Sequence, residues 1–353
     1  MSRVLLVEPA RSQRYHTAYP PLGLLKLGRY HRLRGDRVKL ISGLNGDGYD
    51  PDMVYVTSLF TYAWEPVHET IRYYLKKYPK AKLVVGGIYA TLCPEKLREE
   101  FGNRIRIRRG TDPKLDNLRP DYSLVPDWDA SIVFSTRGCI RNCPFCSVKK
   151  LEPKFTARRS IRRLVQPQHK RIIFWDNNIL ASPYWRDIFA ELAELGKPVD
   201  FNQGLDARLL NEEVLTEMRR FRVPVVRLAY DCAGIRAPLQ RAIELLRAYG
   251  YNGRRIVVYV LHNYQDTPDE FFERIRDLLD WGVVAYPMRY EPLAAGQKNS
   301  YVAPAWTARQ LDMVARARRV IGYGGAFPPY EGLRQKFNRA RSFEEAFKLR
   351  DPA

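Results

Sequence analysis

A chain of 353 residues that is 45% hydrophobic exceeds the usual size of a single core, so one large domain or two medium ones are expected. Lys and Arg number 59 against 39 Asp and Glu. The resulting formal charge of +20 points to a polyanionic partner or a phosphate-bearing substrate and says nothing about fold. No run of about 18 apolar residues occurs, and the opening MSRVLLVEPARSQ lacks the apolar core of a signal peptide, so a cytosolic protein with no membrane span is expected.

In chain order, residues 3–7, 38–41, 53–58 and 82–85 are β-branched runs of strand length. Helical patterns at 22–33, after Pro20 and Pro21, and at 65–77, before Pro79, separate them. This βαβ alternation predicts a Rossmann-like parallel-sheet domain over residues 1–109. Residues 110–130 hold Pro113, Pro120 and Pro126 among several acids, show no period, and are expected to link two halves. From Ser131 the alternation restarts, with strands expected at 132–136, 171–175, 199–202, 225–229, 256–260 and 283–286. Helical patterns at 185–195, 212–221, 239–249 and 270–281 stop at or near Gly196, Gly250 and Gly282. Six βα units over 131–325 suggest an open barrel, and 326–353 is expected to pack as a helical tail.

Of five cysteines, Cys139, Cys143 and Cys146 crowd together while Cys93 and Cys232 stand apart, a poor disulfide framework and a good metal one. Their spacing, C-x3-C-x2-C, directly follows the first strand of the second half. Iron-sulfur clusters prefer cysteine thiolates, and three ligands on a cubane leave one iron open. Gly138 and Pro144 let the backbone turn tightly around such a group. Tetrahedral zinc completed by Cys232, Cys93 or His169 is the competing reading. A second cluster is not expected, because too few cysteines remain.

The motif Cys139-Ile140-Arg141-Asn142-Cys143-Pro144-Phe145-Cys146 resembles that of the radical SAM superfamily, and its context looks most like the branch with an N-terminal cobalamin-binding-type domain. The resemblance implies a partial (β/α)6 barrel and a 4Fe-4S cluster on Cys139, Cys143 and Cys146. It further implies an open iron that chelates S-adenosylmethionine, a 5'-deoxyadenosyl radical that abstracts hydrogen from substrate, and an electron donor of flavodoxin or ferredoxin type. By location at strand ends, it places Asp176, Asn177 and Asn178 at the methionine end of the cofactor, a DNN in place of the family's GGE. Asn202, Gln203, Asp206, Arg208 and Tyr230 are the further cofactor candidates, and Arg227, Asp231, His262, Asn263, Arg289, Tyr290 and Glu291 the substrate candidates. Each polar residue has a competing reading as a helix cap or loop hydrogen bond, and Cys232 one as a small buried hydrophobe.

Over residues 1–109 the resemblance is one of pattern. There is no DxHxxG loop, and Arg108-Arg109-Gly110-Thr111-Asp112-Pro113 replaces a GExE-like segment. A cofactor-free relic or recognition module is therefore preferred over bound cobalamin. Behind the cysteine loop, Lys149, Lys150, Lys154, Arg158, Arg159, Arg162 and Arg163 face only Glu152 in sequence; Arg158 and Arg159 join the substrate candidates. Arg104, Arg106 and Arg108 share one face of a strand. Phe155 and Tyr15 are candidate stacking surfaces for nucleic acid. A solvated basic surface and a small phosphorylated substrate compete with that reading. The expectation is thus a radical SAM enzyme acting on a nucleic acid, nucleotide or phosphorylated compound. Its alternatives are a cobalamin-dependent radical methyltransferase and a non-catalytic iron-sulfur protein that binds nucleic acid.

Overall fold

The structure, a computed structural model, describes residues 1–10, 19–45, 48–324 and 330–348. Its fold is α/β. Five parallel strands, β1 (Arg3–Glu8), β2 (Arg37–Ser42), β3 (Met53–Ser58), β4 (Lys82–Gly87) and β5 (Arg106–Arg108), pair in the order β2-β1-β3-β4-β5. Alternate side chains leave opposite faces of each strand, and both faces are covered. Val4 and Leu6 meet Leu24 of helix α1 (Leu22–Arg32). Leu5, Val7, Val54, Val56, Leu83 and Val85 meet Ile71 and Tyr74 of α2 (Trp64–Lys77), Tyr89 of α3 (Ile88–Leu92) and Leu97 of α4 (Pro94–Phe101). The edge strand β5 ends the sheet with exposed Arg106 and Arg108 flanking Ile107, charge that discourages edge-to-edge pairing. Strand order reverses between β1 and β3, the place where doubly wound sheets open a crevice at their carboxyl ends.

Residues 110–129 are more than a tether. They form the short helix α5 (Pro113–Asp116), and they bury Asp116 and Tyr122, whose hydroxyl accepts the Ile132 N–H at 2.8 Å. Leu124 lies so close to Gly28 that a Cβ there would stand 2.6 Å from its Cδ1.

The second half places β6 (Ala130–Val133), β9 (Arg171–Phe174) and β10 (Val199–Phe201) in one parallel sheet and β11 (Val226–Ala229), β12 (Ile256–His262) and β13 (Val284–Arg289) in another. A short antiparallel pair, β7 (Thr136–Arg137) with β8 (Thr156–Ala157), and helix α6 (Val148–Leu151) lie between β6 and β9. The two sheets adjoin in chain order, since the Leu205 N–H donates to the Arg227 carbonyl at 2.8 Å. Val199, Phe201, Val226, Leu228, Ile256, Val258 and Val260 form one outer core with α7 (Trp185–Leu195), α8 (Glu212–Met218), α9 (Arg236–Ala248), α10 (Pro268–Asp280) and α11 (Ala308–Gly324). The residues between them, Asp200, Arg227, Val257, Tyr259 and Leu261, face the other way and are only half-buried. On that inner face Ala130, Ile132 and Ile173 pack against Leu22 and Tyr19 of the front half.

Of the tail expected at 326–353, α12 (Tyr330–Arg339) and α13 (Phe343–Phe347) are described and bury Phe337, Phe343 and Phe347 against α10 and α11. Residues 326–329 and 349–353, with Phe327 among them, lie outside the described residues. Among the described residues no helix is long and apolar enough to cross a membrane.

Gly87 ends β4 with φ 112° and ψ −168°, and a Cβ there would stand 2.1 Å from the Ser58 carbonyl oxygen. Only glycine adopts this conformation at low cost. Gly87→Ala should therefore destabilise the chain by about 3 kcal/mol or more. Gly86→Ala, whose nearest new neighbour is at 3.6 Å, should be tolerated, and a comparison of melting temperatures checks the pair.

Candidate metal centre

The chain leaves β6, turns through Ser135 into β7, runs out through the cysteines and returns as β8, where the Arg158 N–H donates to the Ser135 carbonyl. Gly138 starts the excursion at φ 72°, and a Cβ there would meet the Lys154 carbonyl oxygen at 2.5 Å, so the outgoing and returning segments touch at a point that only glycine permits. Cys139, Cys143 and Cys146 are free thiols, each partly accessible. The Cys146 N–H donates to the Cys143 carbonyl at 3.0 Å, closing a turn around Pro144 and Phe145. Two donors approach the Cys139 sulfur: the Arg141 N–H at 3.3 Å and Asn178 Nδ2 at 3.9 Å. Burial pushes the Cys143 thiol up, followed by the fields of Cys146 and Asp231. Burial also raises Cys146, against the pull of the Val148 N–H. A bound metal would have to displace those protons. Among the described residues, no three His, Cys, Asp or Glu side chains gather around a point where a single metal ion would sit. Cluster ligands each bind a different iron and so ring a volume instead.

Asp176 lies just beyond β9 and is 3% exposed. Its Oδ1 accepts the Ser135 and Thr136 hydroxyls at 2.6 and 2.7 Å as well as the Thr136 N–H, and its Oδ2 accepts the Ser135 N–H at 3.0 Å. Burial pushes this carboxyl upward against the pull of all four donors. Both oxygens of Asp176 are thus engaged by the start of the cysteine loop. Asn177 donates to Glu152 at 3.2 Å. Asn178 donates to Asp206 at 3.1 Å, while its own Oδ1 is buried without a partner. Asp206 also accepts Arg141 Nε at 2.9 Å and Arg208 Nε at 2.6 Å. Burial raises the Asp206 carboxyl, but the bonds from Arg208 and Arg141 prevail and hold it below the usual range. Asn202 donates to the Tyr19 hydroxyl at 2.8 Å and accepts from Gln203 at 3.2 Å. Thus Asn178 reaches the first cysteine, Asp206 ties it to Arg141 and Arg208, and Asn202 and Gln203 lie at the neighbouring strand end.

The remaining candidates divide by strand parity. Asp231 shares the inner face with Arg227. It lies close enough to raise both Cys143 and Cys146, and burial pushes its own carboxyl up to about 6 against the pull of Arg274. Arg227 pairs with Asp200 on the adjacent strand. Tyr230 faces the other way, donating to Asp277 at 2.9 Å and stacking on Trp281. His262 is likewise part of the outer core, with ring centroids 4.8 Å from Phe271 and 5.5 Å from Trp306. Asn263, at φ 64°, donates to the Tyr301 carbonyl and accepts the Ala303 N–H. Arg289 also donates to the Tyr301 carbonyl, and Glu291 accepts the Asn299 N–H. His262 thus packs among aromatic rings, and Asn263, Arg289 and Glu291 bond to the segment after β13. Tyr290 alone of this group connects to the cysteine loop, through Tyr264 at 4.6 Å and from there to Phe145 at 5.8 Å.

The basic run disperses. Arg158 is half-buried and turned toward the Asp116 carbonyl, Arg159 lies 3.6 Å from Asp187, and Arg162 pairs with Glu194, so acids on α7 answer two of these charges. Lys150, Lys154 and Arg163 stay exposed. Arg104 donates to the Glu100 and Phe101 carbonyls. Phe155 is half-buried, and Tyr15 lies outside the described residues. Sequence reasoning missed Glu152, Arg141, Asp200 and Tyr19; only the isolation of Glu152 within a basic run marked any of them.

Asp176→Ala strands two buried N–H donors and should cost about 3 kcal/mol or more, which the melting temperature of the variant checks. His262 gives a second test. Burial, then the charges of Arg289 and Arg274, push its pKa from 6.5 down to about 3. The folded chain therefore binds fewer protons than the unfolded one across that window, and stability complete above pH 6.5 is lost as pH falls toward 3. His262→Phe should remove this dependence, worth about 5 kcal/mol, which acid-unfolding curves of the two proteins would reveal.

Compared with family models and with curated proteins, the chain matches none.

Proposed function

We propose that the protein is a radical SAM enzyme: Cys139, Cys143 and Cys146 hold a 4Fe-4S cluster, and the six strands β6 and β9 to β13 form a partial (β/α)6 barrel around the reaction site. The observation that carries this reading is the C-x3-C-x2-C loop at the carboxyl end of β6, held there by a buried carboxylate from the next strand. Chemistry at the carboxyl ends of barrel strands is the general rule for such folds.

The residues present suit the group. Three accessible thiols on one loop leave one iron without a protein ligand. Arg141 N–H and Asn178 Nδ2 point at the Cys139 sulfur, as donors that tune a cluster do. The buried, unpaired Asn178 Oδ1 offers an acceptor beside that sulfur. When bound, cluster and S-adenosylmethionine together supply one-electron cleavage and hydrogen abstraction; the protein supplies position and shelter. Asn178, Asn202, Gln203 and Arg208 are assigned to orient the cofactor, and Asp206 holds Arg208 and Arg141 in place. Asp231 and Tyr290 face the substrate, and Arg227 with Asp200 provides a charged pair on the inner face. Tyr19, Leu22 and Trp128 close the β6–β9 side of that face to water. The front sheet acts in this reading by packing and recognition, with no cobalamin chemistry assigned to it. Exposed Lys150 and Lys154 on the returning arm of the loop, with exposed Arg163 further along the chain, favour a nucleotide or otherwise phosphorylated substrate. The electron donor is of flavodoxin or ferredoxin type.

Cys143→Ala should abolish formation of 5'-deoxyadenosine from S-adenosylmethionine while leaving the circular dichroism spectrum intact. Retained cleavage, or stoichiometric zinc with little iron and sulfide in anaerobically purified wild type, would overturn the proposal.

A further inference from the structure

Between the front helix α1 and the first cysteine lies a row of buried charges of alternating sign. Lys26 Nζ is 3.1 Å from Asp116 Oδ1, and Arg137 Nη2 reaches the same oxygen at 2.5 Å. Arg137 Nη1 is 2.8 Å from Glu152 Oε1. The Lys26, Asp116, Arg137 and Glu152 side chains are 8%, 12%, 18% and 12% exposed, so none of these charges is answered mainly by water. The Arg137 guanidinium also lies 3.4 Å from the centroid of the Phe134 ring. Glu152 Oε2 then accepts the Gly138 N–H at 2.6 Å and Asn177 Nδ2 at 3.2 Å. The one carboxylate thus grips both residues before Cys139 and the middle residue of the DNN run.

We infer that Glu152 and Asp116 are positioning residues for the cluster: through Arg137 and the Gly138 N–H they set the backbone that presents Cys139, and Lys26 carries the same restraint into α1. The inference rests on the proposed cluster. Its physical basis is that Gly138 has two fixed sides. The Lys154 carbonyl crowds it from the returning segment, and Glu152 holds its N–H; without the carboxylate only the crowding remains. Arg137 would then keep a single buried anion, Asp116, and would be drawn toward it, taking Gly138 and the first thiol with it. A glutamine at 152 keeps an acceptor for the Gly138 N–H but loses the charge that answers Arg137. Lys26 matters through Asp116, which in its absence is left to Arg137 alone. This network makes the docked front half part of the definition of the metal site.

The test uses the full chain, reconstituted anaerobically with iron and sulfide, as wild type, Glu152→Ala, Glu152→Gln and Lys26→Met. Iron and sulfide content, the electron paramagnetic resonance of the reduced and air-exposed protein, the cluster midpoint potential and the melting temperature are measured on each. Glu152→Ala should lose iron on mild oxidation roughly tenfold or more faster than wild type, passing through a three-iron signal. Glu152→Gln should restore most of the iron retention with a shifted potential, and Lys26→Met should show a smaller change in the same direction. Should the alanine variant fail to fold, the glutamine variant decides alone, and an unshifted potential with wild-type iron retention there overturns the inference. A lowered melting temperature with unchanged resonance, potential and iron retention in Glu152→Ala also overturns it, leaving the proposed function standing. A wild type that holds no iron and sulfide overturns both together.

Discussion

A carboxylate with no access to water organises the candidate site. Asp176 stands beyond the end of β9, and its two oxygens collect four donors from Ser135 and Thr136, the residues that follow β6 and open the cysteine loop. Burying a carboxylate is costly unless its lone pairs are filled, and here they are filled by one short stretch of chain. The consequence is geometric. The loop cannot leave its place at the strand end without stranding Asp176, so the three cysteines inherit the rigidity of the β6–β9 pair. The next two residues extend the arrangement: Asn177 reaches Glu152 on the returning arm, and Asn178 reaches Asp206 and the Cys139 sulfur. Three consecutive polar side chains thus hold the base, the return and the first thiol of one loop.

The wider architecture serves the same end by exclusion. The two adjoining three-stranded parallel sheets send one set of alternate apolar residues into a helix layer, and Asp200, Asn202, Arg227, Tyr259 and Asp231 lie on the opposite face. The front half closes part of that face with Tyr19 and Leu22 and sends Lys26 toward the loop. Segment 110–129, between the halves, is itself built in, with Asp116 shared by Lys26 and Arg137 and Tyr122 bonded to the start of the second half. The two halves are joined through buried polar contacts, and those contacts end beside the cysteines.

Much of this was legible in the sequence. The β-branched runs placed the strands to within a few residues, because a strand buried on one or both faces must show that pattern, and the cysteine spacing marked the loop without reference to fold. Less legible was which way each polar residue at a strand end would point. Tyr230 shares parity with Val226 and Leu228, and His262 with Ile256, Val258 and Val260, an alternation that directs both toward the helix layer. Asp176 shows a different kind of ambiguity. A polar run after a strand announces hydrogen bonding without saying whether a ligand or the chain's own backbone supplies the partner. Contacts such as Asn202 with Tyr19, 183 residues apart, leave no local signature at all. The pairing within the basic run was equally hidden, since the acids that answer Arg159 and Arg162 come from a helix that is remote in sequence and adjacent in space.

The central claim is that three thiolates of this braced loop leave one iron of a cubane open to S-adenosylmethionine. Mössbauer spectroscopy of the chain reconstituted with 57Fe, recorded with and without S-adenosylmethionine, addresses it most directly. The account predicts that one iron subsite changes its isomer shift on addition of the cofactor while the remaining irons keep theirs. Irons that are all indifferent to S-adenosylmethionine, or a protein that takes up zinc and rejects iron and sulfide, would contradict it.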